Sequence, residues 1–216
     1  MLKLLHSSRK SLLNYVTTQL EGFFPDGQTG TKQILDACLD EALTRLENCI
    51  NAVKMWHPGE FDYLHSSQYA IFLYFLANTL WRKEGNQRIC VKLFFLNKSL
   101  NGIDCFYEIE MPDIFFIGHS VGIVLAKATY GNYLVLYQNS TIGKNHGIAP
   151  VLDQGVILYP NTAIIGASHV RSGSVISQGV SIINHETPGN CLVYQGNAGD
   201  LVFRPRRDSV DEYFRR

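Results

Sequence analysis

Between Leu158 and Ile182 an aliphatic residue recurs every six positions, at Leu158, Ile164, Val170, Ile176 and Ile182. Four positions after each of the first four stands a small or β-branched residue, Thr162, Ser168, Ser174 and Val180. An amphipathic helix repeats at about 3.6 residues and a strand at about 2, so neither keeps five aliphatics in phase at six. A chain wound as a triangular prism does, each hexad forming one flat face with its aliphatic inside and three hexads forming one coil. The pattern predicts a parallel β-helix, with an irregular β-sandwich as the alternative. Ile117, Ile123, Thr129, Val135 and Thr141 also step by six but are out of phase with the later set. A loop therefore leaves the prism, and Gly143 to Asp153 has the composition for it. Cys191 to Phe203 reads as a closing pair of strands.

Upstream the period changes. Leu4, Leu5, Leu12, Leu13, Val16 and Leu20 lie at helical intervals before FFPDGQTG breaks the pattern. From Thr31 to about Met55 one broad apolar face runs through Leu35, Cys38, Leu39, Ala42, Leu46, Cys49 and Val53, and His57-Pro58-Gly59 ends it. Gln68 to Lys83 is apolar nearly all round, which predicts a helix capped by Ser66 or Ser67 and either buried or shared with another subunit. Gln87 to Asn101 completes the set. The expected fold class is α+β by segregation. Residues 1–101 form a helical domain, 102–203 a β-helix, and 204–216 a basic, peripheral tail.

Nineteen basic and nineteen acidic side chains leave no net field to attract nucleic acid or an anionic membrane. Five cysteines, widely spaced and without a CxxC pair, argue against a disulfide framework and a zinc site and for the cytoplasm. MLKLLHSSRKSLLNYV has no continuous apolar run of the signal-peptide kind, and Tyr69 to Leu80 is too short to span a bilayer. For chemistry, the polar residues interrupting the first coils stand out. His119, in GHSVGI, follows Asp104 by fifteen residues, close to one coil, so a single turn brings carboxylate and imidazole to one side. Such a pair supplies a general base and the group that orients it.

Four stretches then carry a resemblance to the serine acetyltransferases. YLHSSQYAIFLYFLANTLWRKEGN is similar to that family's helix ending in Leu-Trp-x-x-Gly, GIDCFY to its Val-Asp-Ile-His-Pro, GHSVGIVL to its Asp-His-Ala-Thr-Gly-Ile-Val, and YQNSTIG to its Leu-Gln-Ser-Val-Thr-Leu-Gly. The resemblance covers about residues 40 to 203 and implies a left-handed β-helix, an acetyl-CoA-dependent O-acetyltransferase, and catalytic roles for His119 and Asp104, which match the family's fifteen-residue interval. It further implies acetyl-CoA as co-substrate with no metal, and a homotrimer or a dimer of trimers. Coenzyme A would lie in the groove between neighbouring prisms. Thr141, Ile142 and Gly143 fall nearest the thioester, and Tyr159, Pro160, Gln178 and Arg204 lie further along.

The departures concern the acceptor. Gly118 stands where the family has the Asp before its His, His57-Pro58 where it has Asp-Pro, and Ile148-Ala149 where it has Arg-His. Each lost charge-assisted contact to a buried zwitterion is a loss of a few kcal/mol. The expected acceptor is therefore a larger neutral hydroxyl compound, a sugar or glycan, held by His57, Gln138, Asn145 and His146 in room left by Gly118. Serine through rearranged contacts is the alternative within the class, and a catalytically silent scaffold the alternative outside it.

Overall fold

The computed structural model describes residues 2–207 and 209–215, with only the backbone of Glu84. Four helices come first: α1 (Arg9–Phe23), α2 (Thr31–Ala52), α3 (Ser66–Glu84) and α4 (Gln87–Asn101). Ser8 caps α1 by accepting the Ser11 N–H at 3.1 Å, and Asn86 caps α4 through Ile89. The N-cap of α3 is His65, which makes no side-chain cap bond. The expected serine cap is thus not formed; the Ser67 hydroxyl, inside the first turn, donates to the carbonyl of Gly118 instead. Gly85 and Gly102 end α3 and α4 in the left-handed conformation that a Cβ disfavours.

Every residue of α3 from Ser67 to Leu80 is buried within this one chain, so its apolar circumference needs no second subunit. Several of its polar groups are answered locally, while Asn78 Oδ1 is buried without a hydrogen-bond partner. The Tyr74 hydroxyl donates to the carbonyl of Ile109 at 2.6 Å, and Asn78 Nδ2 to that of Tyr107 at 2.8 Å. These bonds fix the segment entering the β-helix against the helices.

The β-helix has three faces. Face 1 holds Phe115–Ile117, Leu134–Leu136, Ile157–Leu158, Val175–Ile176, Cys191–Gln195 and, antiparallel at the end, Leu201–Pro205. Face 2 holds Asp104–Cys105, Val124–Leu125, Thr141–Gly143, Ala163–Ile165 and Ser181–Ile183. Face 3 holds Thr129–Tyr130, Val151–Leu152 and His169–Val170. Leu158 pairs with Ile176, Ile164 with Ile182, and Val170 with Leu152, all with no exposed surface, as the hexad spacing predicts.

The earlier phase differs from the sequence reading. The inward residues are Leu125, Tyr130, Leu136 and Ile142, while Thr129 is exposed and Thr141 lies on the outer side of face 2. The corner before Val124 is longer than those above it, and this shifts the phase. The loop after Gly143 is a small hairpin closed by Asn145 and Ile148.

The outer side of the first four strands of face 1 is also buried. Phe116, Val135, Ile157 and Val175 lie under the helical region and the C-terminal segment, which is therefore no peripheral tail. Phe214, 1% exposed, bridges to Val53 after α2 and packs against Tyr133 of the β-helix at 5.4 Å. Phe214→Ala should lower stability by about 3–5 kcal/mol. Denaturant unfolding measures this, and a change below about 0.5 kcal/mol would identify the segment as a mere appendage.

Candidate active site

His119 stands at the corner between faces 1 and 2. Ile117 pairs with Leu136 and Val124 with Thr141, so this corner uses six residues, 118–123, where the next coil uses four, 137–140. The longer turn is held by Ser120 Oγ donating to the carbonyl of Asn101 at 2.6 Å and by the Gly122 N–H to that of Gly102 at 3.0 Å. Ser120 is buried and His119 beside it is exposed, so the bulge presents the imidazole to solvent.

Asp104 opens face 2 on the strand next to Val124 and takes its first ladder bond from N–H to the carbonyl of Ile123 at 2.8 Å. The strand pairing thus ties it to the residues that follow His119. Its carboxylate, however, accepts from Lys98 Nζ at 2.6 Å, and among the described residues no hydrogen bond joins it to His119. Carboxylate and imidazole are joined elsewhere. His169 Nε2 lies 2.9 Å from Asp153 Oδ1, each side chain 30% exposed, in a charged ladder on face 3 that continues through Arg171 and Glu186.

The space expected at Gly118 is occupied. A Cβ there would lie 2.4 Å from the ring of Tyr137. Tyr137 fills the place of the missing acid, its ring 6.4 Å from the His119 ring and stacked on Tyr159 at 5.7 Å and 19°. Gln138, at the equivalent corner one coil on, has its side-chain Oε1 buried without a partner, an acceptor short of a donor. Asn145 and His146 follow the face 2 strand and stand at the opposite corner of that face from His119 and Gln138. Within one chain the expected acceptor set is therefore divided.

His57 does lie in a cleft, of about 190 Å³, with Trp56, Glu60, Asp62, His65 and Gln68. The cleft backs onto the His119 corner: Trp56 packs on Phe116 at 5.5 Å, and Ser67, next to Gln68, bonds to Gly118. Lys3 donates to Glu60 at 2.8 Å and holds its carboxyl below the usual range, so Glu60 is anionic. Two carboxylates and two imidazoles thus share the cleft, a grouping that sequence reasoning missed. Its signal was HPGEFDYLH, where two acids and two histidines fall within nine residues.

The expected coenzyme A residues also divide. Thr141 and Gly143 lie on the outer side of face 2, Gly143 in a row with Ile165 and Ile183 and Thr141 in a row kept low by Ala163 and Ser181, while Ile142 is buried inside the prism. That low row suits an extended chain laid along it. Pro160 and Gln178 are at the corner between faces 1 and 2. Tyr159 is on the other side of that corner, stacked on Tyr137, and the Arg204 guanidinium lies over the Tyr194 ring at 5.1 Å. A ligand on face 2 does not reach Tyr159 or Arg204 without turning the corner. Among the described residues no three His, Cys, Asp or Glu side chains gather to hold a metal, and no helix is long and apolar enough to cross a membrane.

This architecture, four helices followed by a parallel hexapeptide β-helix, is that of the serine acetyltransferases. The chain is similar to the serine acetyltransferase of Brucella abortus strain S19 at a TM-score of 0.71 and 18% identity, over 94% of this chain and 86% of that one. It is similar to that of Vibrio cholerae at 0.71 and 18%, over 96% and 85%. With the Neisseria gonorrhoeae enzyme the values are 0.71 and 19%, over 96% and 84%. No protein-family model and no curated protein matches the sequence. At such identities the likeness establishes the left-handed β-helix fold and nothing finer.

Gly118→Ala should destabilise the protein by about 1–3 kcal/mol, because the added methyl meets the Tyr137 ring. The Gly118→Ala, Tyr137→Ala pair should be less than additive in thermal unfolding. Additive losses would mean that the two positions do not compete for one space.

Proposed function

We propose that the protein is an O-acetyltransferase that moves the acetyl group of acetyl-CoA to the hydroxyl of a small, ammonium-bearing acceptor of the serine kind. The observation that carries it is an exposed imidazole on the lengthened first corner of a serine acetyltransferase fold, with an acidic cleft behind that corner. The sequence favours a sugar, because the family's charged groups are missing and Gly118 leaves room. Tyr137 occupies that room, and Glu60 and Asp62 offer an ammonium the anionic partners that His57 and Gly118 do not.

Acetyl-CoA, bound on face 2 beside Thr141 and Gly143, would supply the acetyl group as an activated thioester. His119 accepts the proton of the acceptor hydroxyl as its oxygen bonds to the acetyl carbon and the carbon–sulfur bond breaks. His119 then returns that proton to the departing sulfur, so atoms and charge balance. Asp104 orients the ring, in competition with Lys98.

His119→Ala should lower turnover by about 10² to 10⁴-fold with folding intact. His169→Ala, which breaks the other imidazole–carboxylate contact, should change it less than twofold. The reverse ranking would move the chemistry to face 3. Asp104→Asn should lower turnover while Lys98→Met does not; equal losses would make Asp104 an ion-pair residue only. Thiol release from acetyl-CoA with serine, glucose and an oligosaccharide in parallel should be fastest with serine. Glu60→Gln with Asp62→Asn should raise the serine KM roughly tenfold or more. Release with the sugars and none with serine would return the acceptor to the neutral class.

A further inference from the structure

The C-terminal segment is anchored at both ends of a short span. At the near end Arg206 bonds to Glu212 at 2.6 Å. At the far end the Arg215 N–H donates to the carbonyl of Ala52 at 2.7 Å, and its guanidinium donates to the carbonyls of Asn51, Val53, Lys54 and Trp56. These are the carbonyls at and beyond the end of α2, which the helix leaves unpaired and where its dipole favours a cation. Lys54 N–H closes the span by donating to the carbonyl of Tyr213 at 2.8 Å.

Between the anchors Tyr213 is delivered to the catalytic corner. It is 8% exposed, and its hydroxyl lies 3.4 Å from those of both Tyr137 and Tyr159. Burial, and then the two neighbouring phenols, raise its ionisation well above the usual range, so it stays a donor. The Tyr137 ring is bounded by Tyr159 at 5.7 Å, Phe116 at 6.3 Å and Tyr213 at 6.4 Å. Its remaining edge carries Gly118 and His119. Three sides of the wall beside the imidazole are thus set by packing, and one of those sides comes from the last four residues of the chain.

We propose that Tyr213 is a positioning residue for His119, acting through Tyr137, so that the segment anchored by Arg206 and Arg215 completes the acceptor side of the site. The proposal rests on the acetyl-transfer reading above. With the Tyr213 hydroxyl removed and its ring kept, Tyr137 and Tyr159 lose their shared polar partner while the apolar packing survives. The Tyr137 ring is then held by packing alone, and its contact with the His119 ring at 6.4 Å changes.

Tyr213→Phe tests this in the protein, with Arg215→Met loosening the same span from its far end. Activity and the His119 imidazole signals in NMR are both recorded, the latter assigned by their loss in His119→Ala. Tyr213→Phe should keep the wild-type unfolding transition and KM for acetyl-CoA, lower kcat at least fivefold, and displace the His119 signals. Arg215→Met should displace them in the same direction. A Tyr213→Phe protein with kcat within twofold of wild type and unmoved His119 signals would overturn the proposal. If Tyr213→Phe fails to fold, Tyr137→Phe removes the same contact from the other side and is judged by the same two readouts. A wild-type protein that releases no thiol from acetyl-CoA refutes the acetyl-transfer reading, whereas unmoved His119 signals refute the Tyr213 link, so the two failures are distinct.

Discussion

Each coil of the prism must return its inward side chain to a place beside the one before. Side chains alternate across a strand, so a slip of one residue turns the whole inward set outward. Leu136, Leu158 and Ile176 on face 1, and Ile142, Ile164 and Ile182 on face 2, keep that registration and are almost completely buried. Extra residues are tolerated only where they leave the prism at a corner and return in phase. The chain does this twice, at 118–123 and at the hairpin around Asn145 and Ile148. The first carries His119. The constraint that makes the interior regular thus confines irregular, chemically usable residues to corners.

Which corner matters follows from what covers the faces. The first four strands of face 1 are buried on both sides, inside by the aliphatic stack and outside by Trp56, Tyr213, Phe214 and their neighbours. Parallel sheets are commonly covered on both sides in this way. Face 2 keeps an outer row of modest side chains, with Val124 44% and Ile183 56% exposed. The corner between them is therefore where the helical region, the C-terminal segment and an open sheet meet. His119, Gln138, Pro160 and Gln178 all belong to it.

Much of this was legible in one dimension. The six-residue period needs only the identity of the inward residues, and the helices only their apolar spacing, so both survive as local patterns. Asp104 and His119 were readable as residues about one coil apart because one coil is about eighteen residues, but the bond from Lys98 to the Asp104 carboxylate was not. The early phase was misread because Thr129 and Thr141 keep the six-residue count while the corner at His119 changes which side they face. Counting residues does not reveal a bulge.

The residues by themselves determined that the chain is a helical region followed by a β-helix, because both follow from periodicities that each segment carries alone. They also nominated His119. Only the tertiary structure decided what surrounds it. Tyr137 fills the space at Gly118, Lys98 takes the Asp104 carboxylate, and Glu60 and Asp62 join His57 in one cleft. Tyr213 arrives from seventy-six residues beyond Tyr137. These relations join segments with no shared period, and they depend on how the helices and the last residues pack over face 1, information that no local spacing contains.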